Sequence, residues 1–181
     1  MTASMNNGVL YIAGGGLGSG GATIKDDVLY ATVNSDGSLG SFTTNTSRLA
    51  SVRTTHAGAI YNGWLYVTTG CSVGNVSNCT TYSNTSERMH INNGGPGTTG
   101  TWTQSANTFT NARWGTFATA YNGYLYVIGG CGDNNASATC ASNFQYDDVQ
   151  YVPLNADGSL GTWVTGTSHL HNGPNRHGGP T

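Results

Sequence analysis

The stretch Asn122-Gly-Tyr-Leu-Tyr-Val-Ile-Gly-Gly130 has two earlier counterparts in this 181-residue chain, Asn7-Gly-Val-Leu-Tyr-Ile-Ala-Gly-Gly15 and Asn62-Gly-Trp-Leu-Tyr-Val-Thr-Thr-Gly70. The copies lie 55 and 60 residues apart, which indicates a repeat architecture. Each Asn-Gly pair separates apolar segments, and Asn-Gly favours a hairpin because both central residues of a type I′ turn need positive φ. Each copy therefore predicts two antiparallel strands joined by a tight turn.

Two further strands are predicted in each unit. An alternating segment occurs as Asp27-Val-Leu-Tyr-Ala-Thr-Val33 and Asp148-Val-Gln-Tyr-Val-Pro-Leu154, with a weaker version at Arg88-Met-His-Ile91. It leads into Asp36-Gly-Ser-Leu-Gly-Ser-Phe42 and Asp157-Gly-Ser-Leu-Gly-Thr-Trp163, in which Asp-Gly is again a turn signal and the aromatic residue opens the last strand. No segment has a helical period, so the fold class is all-β.

The order of these features resembles a Kelch repeat. An arginine precedes the small-residue strand at Arg53, Arg113 and Arg176, and the Asn-Gly turn, the Tyr-Val-x-Gly-Gly strand, the Tyr-bearing strand and the Trp follow. Units of about 60 residues resemble those of bacterial cell-surface Kelch-like proteins. The resemblance implies a Kelch-like β-propeller with three four-stranded blades per chain, which is half of a six-bladed ring.

The phase of the repeat makes a prediction about assembly, if the strands of a blade are labelled a to d from the axis outward. A single repeat domain, 1–181, would divide into 6–49 (strands b, c and d), 50–109, 110–170 and a lone strand a in 171–181. That last strand would complete the first blade of a neighbouring copy, so we expect a head-to-tail homodimer. The alternative is that the missing repeats belong to a longer parent chain.

Composition excludes several classes of partner. Only 8% of the residues are charged and the net charge is −2, so no nucleic acid is expected to bind. The chain has no run of about 18 apolar residues, so we expect no membrane insertion. The start Met1-Thr-Ala-Ser-Met5 lacks the basic and apolar regions of a signal peptide.

The four cysteines form two close pairs at equivalent places in two repeats. Equivalent placement favours Cys71–Cys79 and Cys131–Cys140 disulfides, which would imply an extracellular or cell-surface location. Zinc ligation and free thiols are the alternatives. Spacings of eight and nine residues are not those of zinc knuckles, and the same loops contain no suitably placed histidine.

The resemblance places residues that precede the innermost strands at the mouth of a central channel. Converging guanidinium groups there could bind a carboxylate or an acidic sugar, and a tryptophan beside them could stack on a sugar ring. The alternative is that the recurring arginine hydrogen-bonds the backbone of its own blade. The candidate ligand site consists of Arg53, Arg113, Trp114, Arg176, His56 and His177.

Six aromatic residues are locked to the repeat and are expected to fill the core between blades. They are Tyr11, Tyr66, Tyr126, Phe42, Trp102 and Trp163. They are therefore not expected to contact a ligand.

The expected function is a non-enzymatic extracellular or cell-surface binding or adhesion module, with a glycan or protein ligand and without cofactor or metal. The alternatives are a sialidase-like or oxidase-like glycan-active enzyme and a purely architectural fragment. Most glycoside hydrolysis needs two carboxylates at a controlled separation, and Glu87 is the only glutamate. Asp157 also stands one residue too far from Trp163 for the Asp-box of sialidases.

Overall fold

The computed structural model describes residues 1–18, 23–74, 79–91, 100–132 and 145–170. Within these ranges the protein is all-β, and its fourteen strands form four antiparallel sheets. Three sheets have four strands each and follow one another along the chain, while the fourth is a two-stranded hairpin. No helix in the described part of the chain is long and apolar enough to cross a membrane.

Each four-stranded sheet is built from neighbouring segments of the chain. Sheet 1 consists of β1 (Thr2–Asn6), β2 (Val9–Leu17), β3 (Thr23–Thr32) and β4 (Thr43–Thr44). Sheet 2 consists of β5 (Ala57–Tyr61), β6 (Trp64–Thr68), β9 (Ser86–His90) and β10 (Thr103–Gln104). Sheet 3 consists of β11 (Phe117–Tyr121), β12 (Tyr124–Ile128), β13 (Asp148–Pro153) and β14 (Val164–His169), and the hairpin consists of β7 (Cys71–Gly74) and β8 (Cys79–Tyr82).

The predicted Asn-Gly hairpins are confirmed. Asn62 and Gly63 have φ of 46° and 76°, which are the positive values that a type I′ turn requires, and the other two copies have the same geometry. The weakest predicted strand, near Arg88, is also present as β9. Each turn fixes the register of its two strands, so the first two strands of each sheet follow from the sequence.

Sheet 1 corrects the expectation that 6–49 supplies only strands b, c and d. The segment Thr2–Asn6 forms β1, which pairs with β2 along its whole length and forms one edge of the sheet, where strand a was expected. Sheet 1 therefore has four strands of its own and needs none from a neighbour. The segment 171–181, predicted to be a lone strand a, lies outside the described residues.

Two apolar cores hold the sheets in series. The first lies between sheets 1 and 2 and contains Tyr11, and the second lies between sheets 2 and 3 and contains Tyr66. The first strands of the three sheets are neighbours in the same order, with β1 beside β5 and β5 beside β11. We call β1, β5 and β11 the innermost strands. Trp102 and Trp163 pack against these cores as predicted, but Phe42 is 47% exposed and Tyr126 belongs to neither core.

Candidate functional site

The innermost strands begin at the end of the sheets where their partner strands finish. Ala57, the first residue of β5, lies opposite Thr68, the last residue of β6, and Phe117 lies opposite Ile128 in the same way. We call this the loop end. A groove of about 300 Å³ opens there between the innermost strands. Its lining includes Thr2, Ala3, Ala57, Gly58, Phe117 and Ala118.

Arg53 and Arg113 lie inside the protein, not at the mouth of a channel, and they are 1% and 0% exposed. Nη1 of Arg53 donates to the carbonyl oxygens of Thr69 at 3.0 Å and Thr85 at 3.3 Å. Nη1 of Arg113 donates to the carbonyl oxygen of Gly129 at 3.2 Å. This corrects the expectation that these two guanidinium groups bind a ligand, and it agrees with the alternative in which each arginine bonds the backbone of its own repeat.

Each arginine also pairs with a carboxylate on the third strand of its own sheet. Nη2 of Arg53 donates to Oε1 of Glu87, whose other oxygen accepts the backbone N–H of Ala50 at 2.6 Å. Arg113 donates to both oxygens of Asp148, at 2.6 and 3.2 Å. Burial alone would raise the pKa of Asp148, but the hydrogen bonds and charge of Arg113 outweigh it, and the pKa is lowered.

Glu87 and Asp148 are not among the predicted site residues. The signal that identifies them is spacing, because Glu87 follows Arg53 by 34 residues and Asp148 follows Arg113 by 35. A carboxylate that recurs at a fixed distance from a recurring arginine indicates a pair within the repeat. Buried charges are found paired because an unpaired one is costly.

His56 and Trp114 are buried as well, which removes them from the predicted ligand site. Nε2 of His56 lies 2.9 Å from the carbonyl oxygen of Ala13. Burial lowers the pKa of His56 well below its ordinary value, so the ring is neutral at pH 7. Trp114 is 3% exposed, and its ring stacks on that of Tyr82 with centroids 6.3 Å apart.

The two-stranded hairpin packs against Trp114 at the loop end. A disulfide joins Cys71 and Cys79, with the two Cα atoms 5.7 Å apart, which confirms the first predicted pairing. The two cysteines form a small buried cluster with Trp114 and Cys131. The second predicted pairing involves Cys140, which lies outside the described residues, so it stays a prediction.

The hairpin presents an uncharged surface to solvent. Val73 is 55% exposed, and Thr80 and Thr81 are exposed beside it. Because the disulfide and the packing on Trp114 fix its base, the hairpin presents these side chains from a rigid support. Loops held in this way are common recognition surfaces.

The groove itself is uncharged among the described side chains that line it, because its one titratable side chain is the neutral His56. Phe117 is 52% exposed in its wall. Within the described ranges, no group of three His, Cys, Asp or Glu side chains is placed to hold a metal ion. Arg176 and His177 lie outside those ranges, and their place in a ligand site stays a prediction.

The solved structure of YjhT is similar in fold to this chain. The match has a TM-score of 0.64 at 14% sequence identity, and it covers 94% of this chain and 51% of YjhT. The chain therefore spans about half the length of YjhT. No family model matches the chain, and no curated protein matches it in sequence. A likeness at this level of identity concerns the fold and carries no activity.

Proposed function

We propose that the chain is a non-enzymatic binding module of an extracellular or cell-surface, Kelch-like β-propeller, and that it binds its ligand at the loop end. Three four-stranded sheets in series, with β1, β5 and β11 as innermost neighbours, support the propeller. The Cys71–Cys79 disulfide supports an oxidising compartment.

The observation that carries the proposal is a groove without charged side chains at the loop end, the same end that carries the disulfide-fixed hairpin. Phe117 offers a half-exposed aromatic ring in the groove wall, and Thr81 offers an exposed hydroxyl on the hairpin. An aromatic face and neutral hydroxyl groups suit a sugar ring, which stacks on the one and hydrogen-bonds to the other. Because Arg53 and Arg113 are buried in ion pairs, a neutral glycan suits this surface better than an acidic one.

Binding without turnover is favoured because four of the carboxylates already have structural partners. Glu87 and Asp148 are each engaged by a buried arginine of their own sheet. Asp36 and Asp157 accept hydrogen bonds from the serines two residues later, in exposed turns. These groups therefore act in structure, whereas glycoside hydrolysis needs an acid and a base facing one bond.

The test is a glycan array probed with the intact protein, followed by titration calorimetry on the strongest neutral ligand. Phe117→Ala and Thr81→Asp are expected to weaken binding at least 10-fold, by loss of stacking and by blocking of the hairpin surface. Thr103→Asp is the matched control, because Thr103 is exposed on the outermost strand β10, away from the groove. The mass of every variant is recorded, so that a change of assembly is not mistaken for a change of binding.

Two results would overturn the proposal. One is the absence of binding to any neutral glycan together with binding to a protein ligand that Phe117→Ala leaves intact. The other is turnover of a chromogenic sialoside or galactoside, which would favour the enzymatic alternative.

A further inference from the structure

We propose that the outer face of sheet 3 binds the outer face of sheet 1 in a second copy of this chain, head to tail, so that two copies close a ring. This contact differs from the exchange of a terminal strand expected from the repeat phase, because sheet 1 already has four strands. It does not depend on the proposed ligand.

The outer face of sheet 3 is aromatic, and no other sheet in the described part of the chain packs on it. Side chains directly opposite each other in paired strands lie on one face. By this register the face includes Tyr121, Tyr124, Tyr126, Ile128 and Tyr151, while Phe117 lies at its loop end, in the groove. Tyr121 is 74% exposed and Tyr124 is 37% exposed. All of these side chains are aromatic or aliphatic.

The outer face of sheet 1 is mostly aliphatic, and no other four-stranded sheet among the described residues packs on it. By register it includes Met5, Leu10, Ile12 and Leu29, and Met5 is 60% exposed. Lys25 and Asp27 lie beside Ile12 and Leu29 at the other end of this face. Its counterpart inside the protein is the face of sheet 3 that packs on sheet 2. A monomer would thus leave an aromatic face and an aliphatic face in water, which favours association.

The interface between sheets 2 and 3 shows how such faces meet. The hydroxyl of Tyr61 accepts the backbone N–H of Gly123 at 2.9 Å. The ring of Trp64 lies against Gly158, where a Cβ would collide with it. In a third contact, Phe109 of sheet 2 stacks on Trp163 of sheet 3, with ring centroids 3.9 Å apart.

Every member of these three contacts has a repeat equivalent on one of the two open faces. The sheet 2 side, Tyr61, Trp64 and Phe109, corresponds to Tyr121, Tyr124 and Leu170 in sheet 3. The sheet 3 side, Gly123, Gly158 and Trp163, corresponds to Gly8, Gly37 and Phe42 in sheet 1. A leucine suits the last position, because Leu49 and Trp102 belong to the same core at the interface of sheets 1 and 2.

Two of these equivalents are open to solvent where their counterparts at the internal interface are covered. A Cβ at Gly37 would meet nothing within 4 Å, whereas the space at Gly158 is filled by Trp64. Phe42 is 47% exposed, whereas Trp163 is partly buried. A second copy supplies Tyr124 to Gly37 and Leu170 to Phe42, and one chain carries both halves of the contact. A heterologous contact of this kind closes when the rotation per copy is near 180°, as three sheets out of six would give.

Sedimentation equilibrium of the intact protein tests the proposal, and the expected mass is that of two chains. Tyr124→Asp and Phe42→Asp are each expected to weaken self-association at least 10-fold, because each places a charge in an apolar contact. Both residues are exposed in the single chain, so the far-ultraviolet circular dichroism should stay unchanged. Val73→Asp, at a site on the hairpin that is 55% exposed, is the control that keeps the mass of two chains.

Direction is tested by cross-linking. Phe42→Cys mixed with Leu170→Cys should give an interchain disulfide on oxidation, and neither variant alone should do so. A mass of one chain at high concentration, a dimer insensitive to both aspartate variants, or cross-links within one variant would overturn the proposal. Open polymers larger than two chains would overturn the closed ring.

Discussion

The indole ring of Trp64 in sheet 2 lies directly against the backbone of Gly158 in sheet 3. Gly158 has a φ of 76°, a conformation that glycine adopts without steric cost. Gly37 occupies the same turn in sheet 1 with a φ of 84°, but its surroundings are open. The two glycines therefore share one backbone requirement and differ in whether an aromatic ring covers them.

This difference predicts unequal effects of one substitution. Gly37→Ala carries the strain of a positive φ, about 1 kcal/mol, whereas Gly158→Ala must also displace Trp64, for a total of about 2–4 kcal/mol. The measurement is urea unfolding at a protein concentration where the mass is that of one chain. Equal losses for the two variants would contradict the packing of Trp64.

The buried pair of Arg113 and Asp148 predicts a strong dependence of stability on its partner. Arg113→Met leaves a carboxylate buried without its counter-ion, which should lower the free energy of unfolding by about 3–5 kcal/mol. Adding Asp148→Leu should restore much of that loss. Arg48→Met is the control, because that side chain is 51% exposed in its pair with Asp26 and its loss should have a much smaller effect.

The lowered pKa of Asp148 predicts a loss of stability in acid. The folded state holds this carboxylate charged to a lower pH than the unfolded state, whose carboxyl titrates at about 3.9. The stabilisation is therefore full above that value and is lost as the pH falls through the folded pKa. In Asp148→Asn the free energy of unfolding should fall less steeply below pH ~4, and an unchanged slope would contradict the assignment.

The buried His56 predicts a second pH range, above that of Asp148, in which the stability changes. Its folded pKa is well below the ordinary value because of burial, while the unfolded chain takes up a proton at about 6.5. The unfolded state thus binds more protons below that pH, and the stability should decline as the pH is lowered from about 6.5. His56→Gln should remove this decline, as followed by thermal unfolding across the range. A decline of the same steepness in the variant would assign it to another group.

The Cys71–Cys79 disulfide predicts a measurable contribution from a short closed loop. Cys71→Ser with Cys79→Ser should lower the free energy of unfolding by about 2–3 kcal/mol. The same variant should loosen the hairpin over Trp114, which is followed by tryptophan fluorescence. A stability equal to that of the parent would indicate that packing alone holds the hairpin.

The register of the Asn-Gly hairpins can be predicted from the sequence because a local turn sets it. Asn62 and Gly63 need only each other and the flanking strands to set a type I′ turn. The turn at Asn7 also predicts a strand before it, but the repeat phase misses Thr2–Asn6 as strand a, because this segment has no large apolar alternation and no preceding arginine to mark it. Its place becomes evident only when it pairs with β2.

The burial of Arg53 and Arg113 could not be predicted from the sequence alone. A basic residue before an inner strand is compatible with a channel mouth or with the interior, and a tertiary partner decides between them. Arg53 is buried because it pairs with Glu87, which is 34 residues later in the sequence. Glu87 lies on β9, two strands away from β5 in the same sheet. Phe42 and Tyr126 differ from their repeat equivalents for a similar reason, since no second sheet among the described residues covers them.

Each sheet pairs strands that follow one another along the chain, and the ion pair of Arg113 with Asp148 lies within a single sheet. Loop closure between such near neighbours is fast and costs little entropy. During synthesis, sheet 1 can therefore form before sheet 3 has left the ribosome, and each completed sheet offers a template for the next. We therefore expect the repeats to fold in the order in which they are synthesised.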